Sequence, residues 1–175
     1  MSFRILRGFT LVARDQVNLA LEIEEMKLPT LEEKSVDFTA GGATGETAVP
    51  LGITNKLEMP FKVMTHNPAL DVLFGLPPGT RTAFTAVKSL FDDNDDSGKA
   101  IEVSIDLKAR LMKIDPEQMK GGDKAGYDHM LSAITWYSEV HDGRVIREFN
   151  LSLGGWTILD GKTVNDDHAR ILRLR

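Results

Sequence analysis

The sequence predicts a mainly β fold carrying one well-marked short α-helix. Three observations predict it. Between Glu102 and Ile114, Val103, Ile105, Leu107, Ala109 and Leu111 alternate with Glu102, Ser104, Asp106, Lys108 and Arg110, the period-two pattern of a half-buried strand. Asp142-Gly143 separates two β-rich runs, Ser132–His141 and Arg144–Ser152. A type I′ hairpin turn needs positive φ at both central residues, and Asp-Gly supplies it. Strong helix punctuation occurs at one place: Asn67 to cap, Pro68 at the first helical position, Ala69–Phe74 to follow, then Gly75 and Pro77-Pro78 to stop it.

Taken in order, Arg7–Ala13, Leu19–Lys27 and Lys34–Phe38 read as shorter strands. Thr39–Lys56 follows as an irregular segment with Gly41, Gly42, Gly45, Pro50 and Gly52. A structureless loop of that length is uncommon inside a compact domain, and such loops are usually functional. Leu57, Met59, Phe61 and Val63 alternate with Glu58 and Lys62. Pro60 lacks an amide donor, which places this strand at a sheet edge or a bulge. Thr82–Phe91 and Ala100–Ile114 form a hairpin turning through Asp92–Lys99. Asp115-Pro116-Glu117-Gln118 starts a single helical turn before Gly121-Gly122. Asp166 and Asp167 ahead of Arg170, Arg173 and Arg175 give the charge order of a second helix. Trp136 and Tyr137 are adjacent, so in a strand one faces the core and the other the surface or an interface.

Length and composition indicate one globular domain over residues 1–175, with 42% hydrophobic and 27% charged residues. The chain has no cysteine, which excludes disulfides, thiolate metal sites and cysteine nucleophiles. Its formal charge is 21 − 26 = −5 with no basic block, a poor match to tight nucleic-acid or anionic-membrane binding. The N-terminal apolar run Phe9–Ala13 is too short for the core of an export signal, so the expectation is a soluble chain made in the cytosol.

The residues that could carry chemistry read blandly. Ala40-Gly-Gly-Ala-Thr-Gly-Glu46 lacks the Gly-Lys-Ser/Thr and the helix that a phosphate loop requires. Asp93, Asp95, Ser97 and Gly98 match the start of a calcium loop, but Ser104 stands where its bidentate glutamate belongs. The Asp92–Gly98 run is therefore read as a solvated hairpin tip. His66, His129, His141 and His168 show no metal spacing, and no serine sits in a Gly-x-Ser-x-Gly elbow. No catalytic residue, metal ligand or cofactor is expected, and the chain is not read as an enzyme.

Several stretches, in order, resemble the major tail tube protein of contractile-tailed bacteriophages and of related phage-tail-like bacteriocins. They are Leu28–Lys34, Ala40–Glu46, Val49-Pro-Leu-Gly52, Lys56–Met59 and Phe74-Gly-Leu76. The clearest block is Lys108–Ala125, with its Asp-Pro turn and Lys-Gly-Gly-Asp-Lys loop, and Tyr137–Asn150 is similar to the family's late hairpin. The chain departs from the pattern at Gly126, at Val164–Asp167 and at its Leu172–Arg175 ending, which bears on the C-terminal contacts more than on the fold.

The resemblance implies a tail-tube-type β-sandwich or small barrel with one flanking helix. It implies six copies closing into a ring, and rings stacking into the inner tube of a contractile tail. Gly41, Gly42, Gly45, Glu46, Val49, Pro50, Leu51 and Gly52 would then belong to a long loop, at about 39–56, that reaches the adjacent ring. Strand edges such as Leu57–Met64 would close the ring laterally. The implied partners are further copies of the chain and the sheath, tape-measure and baseplate proteins. DNA would pass through the lumen without specific binding, and no membrane is involved. The product would be a virion tail component assembled in the host cytoplasm. A stand-alone β-sandwich binding module and a type VI secretion-like tube protein stay open as alternatives. A small β-barrel enzyme would need a catalytic cluster that the sequence does not display.

Overall fold

The computed structural model describes residues 3–174 except Asp15, Ala43, Asp96 and Asp123. Its strands are β1 (Arg4–Ala13), β2 (Val17–Asn18), β3 (Ile23–Met26), β4 (Glu33–Phe38), β5 (Thr47–Thr54) and β6 (Met59–Val63), then β7 (Thr82–Asp92), β8 (Ala100–Pro116), β9 (Tyr127–His141), β10 (Arg144–Asn150), β11 (Gly155–Leu159) and β12 (Lys162–Thr163). Two helices, α1 (Pro68–Asp71) and α2 (Asp166–Ile171), and a 3-10 turn at Leu151–Leu153 complete it. The mainly β expectation holds.

Every ladder is antiparallel, and the main sheet runs β12-β11-β10-β9-β8-β7-β1-β2. β8 is its spine: Val103, Ile105, Leu107, Ala109 and Leu111 are buried while the residues between them are partly or fully exposed. The second edge of β9 is divided, with Tyr127–Leu131 pairing β6 and Trp136–His141 pairing β10. The division falls at a bulge. Lys108 pairs Trp136 but Arg110 pairs Ser132, and within the extra stretch Ala133 sits at φ 53. A bulge of this kind bends the strand, so β9 serves two half-sheets.

β6 also pairs β3. The path β3-β6-β9-β8-β7-β1-β2 then returns to its start, because β2 and β3 are joined by the turn Leu19–Glu22. That turn is fastened by Leu19 N–H to Leu11 O (3.0 Å) and Ile23 N–H to Leu19 O (2.9 Å). The result is a small barrel closed partly by the chain itself. It encloses Leu11, Leu19, Met59, Phe61, Phe84, Ile105, Leu107 and Leu131, and each such side chain contributes roughly 1.5–3 kcal/mol by leaving water.

α1 forms as its punctuation requires. Asn67 Oδ1 accepts from the Ala69 and Leu70 amides (3.1 and 3.3 Å), and Gly75 takes φ 77. Only Pro68–Asp71 is helical, with Leu70 and Leu73 buried against the core, because two turns persist only by docking. α2 is present, but Asn165 at its cap is left-handed and donates its side-chain amide to Trp156 O (3.0 Å). The Asp142-Gly143 turn has φ 46 and 79, the positive pair a type I′ turn needs. Tyr137 is buried and Trp136 is half-buried, facing away from the core.

Four expectations are corrected. The helical turn at Asp115–Gln118 does not form, because β8 continues to Pro116 opposite Tyr127. Leu19–Lys27 is a turn followed by the shorter β3. Thr39–Lys56 is not irregular throughout, since Thr47–Thr54 is a strand paired with β4. β6 is not an edge strand, for it lies between β3 and β9. Pro60 is tolerated there because its carbonyl accepts from Lys27 N–H (3.0 Å), so its missing donor faces the side where the β3 ladder has already ended at Met26.

Candidate assembly surfaces

β4 and β5 form a separate two-stranded sheet, and every residue of both strands except Thr54 is exposed. The register pairs Phe38 with Thr47, Val36 with Val49, and Ser35 with Pro50. Side chains alternate across a strand, so Val36, Phe38 and Val49 share one face, with Ser35, Asp37, Ala48 and Pro50 on the other. The arm is thus amphipathic, with Val36 and Phe38 each more than half exposed. A lone two-stranded ribbon is marginally stable in water, and among the described residues neither outer edge of this one is paired.

The base of the arm is fastened to the body. Trp156 Nε1 donates to Thr54 Oγ1 (2.7 Å), and Asn55 N–H reaches Glu32 O (2.8 Å). Near the base Glu33 pairs Thr54 but Ser35 pairs Pro50. The extra residues bulge at Gly52 (φ 69), whose amide donates to Glu33 Oε1 (2.7 Å). Beside the base runs a groove of about 640 Å³. Leu51 and Ile53 of the arm line it together with Phe149, Leu151, Trp156 and His168.

The expected assembly residues fall on this arm. Gly41, Gly42, Gly45 and Glu46 form its exposed tip, and Val49, Pro50, Leu51 and Gly52 lie on β5. A Cβ added at Gly41, Gly42 or Gly45 would meet nothing within 4 Å, and none of the three has positive φ. Neither packing nor backbone geometry within the chain requires glycine there. Ala43 lies outside the described residues. Asp142 and Gly143 form the turn between β9 and β10 of the main sheet.

One unanticipated polar cluster lies on β9 and β10. Glu139 accepts from Tyr137 Oη (3.1 Å) and contacts His141 Nε2 (2.8 Å). Arg147 Nε lies 3.0 Å from its Oε2, near enough for an ion pair but misaligned for a hydrogen bond. Burial pushes the Glu139 pKa up, but the His141 hydrogen bond and the Arg147 charge outweigh it and hold the carboxyl below its usual range. Burial, then the Glu139 charge, push the Tyr137 phenol well above its ordinary value. Tyr137, His141 and Arg147 thus converge on one carboxylate, and the cluster reads as a structural polar network.

His129 is buried and stacked on Phe61 at 4.9 Å between ring centroids. Its Nδ1 lies 3.0 Å from Tyr127 O, while its Nε2, like Asp71 Oδ1, is buried without a partner. Burial lowers the His129 pKa. Around Lys62, the carboxylates of Glu24 and Glu117 and the ammonium of Lys124 form an exposed ionic network that ties down the segment after β8. At the expected acidic tip, Asp92 Oδ1 accepts from the Asn94 amide (3.1 Å) and Asp95 Oδ1 from the Ser97 amide (3.0 Å). Asp96 is outside the described residues. Among the described residues no three histidines or carboxylates are placed to hold a metal ion.

The open edges lie elsewhere than expected. β1 pairs β7 along its length, but β2 covers only Val12 and Ala13. The other edge of Arg4–Thr10 is therefore without a ladder among the described residues, beside the exposed Phe3 and Leu6. The sequence also gave no notice of the groove. Its walls come from segments about a hundred residues apart, and the only local sign was the apolar, glycine-bearing run Leu151–Trp156.

Comparison with known proteins identifies the family. The family model described as phage tail tube protein FII matches residues 4–172. The fold is similar to a chain of the sheath–tube complex of an extracellular contractile injection system (PVC) in its extended state, with TM-score 0.54, 10% identity, and coverage of 76% of this chain and 88% of that one. It is also similar to a chain of the PVC sheath/tube terminator in the extended state, with TM-score 0.53, 11% identity, and coverage of 77% and 93%. No curated protein matches the sequence.

Proposed function

We propose, from the premise that this chain belongs to the phage tail tube protein FII family, that its copies close into hexameric rings which stack as the inner tube of a contractile tail. The observation that carries the reading is the arm β4–β5. It has an apolar face, a glycine-bearing tip and two edges unpaired among the described residues, and no described residue of the body packs on its distal part. Such a ribbon is a liability in a solitary protein and an asset in one whose neighbours cover it. The open edge of Arg4–Thr10 supports lateral closure, since pairing edges around a ring removes them. The tube works with sheath, tape-measure and baseplate proteins and forms in the host cytoplasm. It passes DNA without gripping it, and a chain of net charge −5 favours that by repelling phosphates. The role is structural and not catalytic.

Excising the arm tests this. Glu33 and Thr54 are ladder partners, so a Gly-Asn turn can join them in place of residues 34–53. No described residue of that span belongs to the buried core, so the shortened protein should fold and melt cooperatively. Electron microscopy should show tubes for the full chain, with tail baseplates as nuclei where needed, and none for the shortened one. Tubes formed equally well without the arm would refute the assignment. A full chain that stays monomeric even on baseplates would instead favour the stand-alone module.

A further inference from the structure

We infer that Trp156 is a positioning residue for assembly, holding the arm at one angle to the barrel through its bond to Thr54. The inference rests on the tube reading and names what fixes the arm's direction, whatever surface receives it. The indole is itself held in place. Its ring meets Phe149 edge-on at 5.4 Å between centroids and Tyr137 edge-on at 6.2 Å. Its main-chain carbonyl accepts from Asn165 Nδ2 (3.0 Å), the cap of α2. From that fixed place Nε1 donates to Oγ1 of Thr54 (2.7 Å), the last residue of β5. Among the described residues, no other side-chain hydrogen bond or ion pair crosses from β4 or β5 to the main sheet.

The root of the arm needs such a pin. β3 ends at Met26 and β4 begins at Glu33, while β5 ends at Thr54 and β6 begins at Met59, so neither chain enters the arm as continuous strand. Lys27 N–H to Pro60 O (3.0 Å) and Asn55 N–H to Glu32 O (2.8 Å) bound the gap. Within it Leu57 is buried, and Leu28 and Leu31 pack on the core. These contacts fix where the root sits but not the angle of the ribbon beyond it. Phe38 lies roughly 17 Å past Glu33 at about 3.3 Å per residue, so a swing of roughly 20° at the root moves it about 6 Å, more than one strand spacing. Thr54 is tied at the root, and Glu33 Oε1 accepts from the Gly52 amide (2.7 Å) across the bulge, which passes the direction on to the ribbon. An arm held in one orientation beforehand lowers the ordering cost of each contact between copies. One neutral hydrogen bond shifts the held-to-free ratio by roughly three- to tenfold, and a tube applies that shift at every copy.

The absence of cysteine lets a pair of spin labels report the angle. Asp37→Cys on the arm and Glu102→Cys on β8, both exposed, are labelled in the full chain, and their separation is measured by pulsed electron spin resonance on the unassembled protein. Trp156→Phe keeps an aromatic ring and removes the donor. Thr54→Val keeps the shape and removes the acceptor, and Thr54→Ser keeps the hydroxyl. The parent and Thr54→Ser should give one narrow distance, and Trp156→Phe and Thr54→Val a broadened or displaced distribution. Without labels, the latter two should form tubes roughly three- to tenfold more slowly, while Thr54→Val melts within about 4 °C of the parent. Combining Trp156→Phe with Thr54→Val should slow assembly no further than the slower single variant, because both remove one bond. Should Trp156→Phe not fold, Thr54→Val decides alone, since it leaves the rings around Trp156 intact. Unchanged distances in the donor and acceptor variants would overturn the assignment, and so would broadened distances with tubes formed at the parental rate. In both cases the parent's tubes leave the tube reading standing. A parent that forms no tubes even on baseplates sinks the tube reading instead, and the positioning role with it.

Discussion

Arg110 is the side chain whose removal should most clearly separate the barrel from the segment that covers its end. It projects from the polar face of β8, and its guanidinium donates to Leu76 O (2.6 Å), Pro77 O (2.6 Å) and Thr80 O (3.0 Å). These carbonyls belong to the connection from α1 to β7, which holds Leu70 and Leu73 against the core. A hydrogen bond to a charged donor contributes about 1.5–3 kcal/mol net. Two of these three are solvent-exposed, and water replaces much of what they lose. Arg110→Met should therefore cost about 2–4 kcal/mol in all, the partly buried bond to Leu76 supplying the largest share.

For a domain of this size 1 kcal/mol corresponds to about 2–4 °C, so the thermal midpoint should fall by roughly 5–15 °C, read by circular dichroism. Arg110→Lys should recover less than half of that loss, because an ammonium lacks the planar fork that reaches several carbonyls at once. Arg110→Met melting within about 2 °C of the parent would refute the reasoning, and so would full rescue by lysine.

Two further outcomes follow from backbone and protonation. Gly143→Val forces a β-branched residue into φ 79 and should destabilise by about 1–3 kcal/mol, checked by urea unfolding. His129 has its pKa lowered in the folded state by burial, so below its unfolded value of about 6.5 the unfolded chain binds the proton first. Its contribution is complete above that pH and is lost as pH falls from there through the lowered folded value. Thermal midpoints measured across that range should drop on acidification, and His129→Phe, which keeps a ring against Phe61, should flatten the dependence.

The parts of the fold that were legible are those whose constraints lie within the chain and along one strand. β8 showed its alternation because it is paired along most of its length and buries one face throughout. The first half of β9 was not read as strand, and its burial explains why. His129, Leu131, Ile134 and Tyr137 are buried, a sequence that changes phase between 131 and 134, where Ala133 bulges and the strand exchanges β6 for β10. A histidine in the first core-facing position further obscures the pattern. Pro60 misled for a related reason. The rule against proline in a ladder concerns one missing donor, and here that donor points past the end of β3.

The arm is the instructive case, because a segment whose composition reads as an irregular loop contains a paired strand. Val49, Leu51 and Ile53 have strand-forming side chains, yet Pro50 and Gly52 interrupt them and no residue of the pair enters the core. Within one protomer there is little to favour strand over coil beyond the ladder with β4 and the Glu33 contact to the Gly52 amide. The tip glycines make the same point from the other side. In this conformation they could carry side chains without strain or collision, so the protomer does not account for them. A tip that must pass close to another backbone does account for them, since only glycine leaves room for such an approach. In the proposed tube, the determinants missing from the chain's own packing would be those that a neighbouring copy supplies.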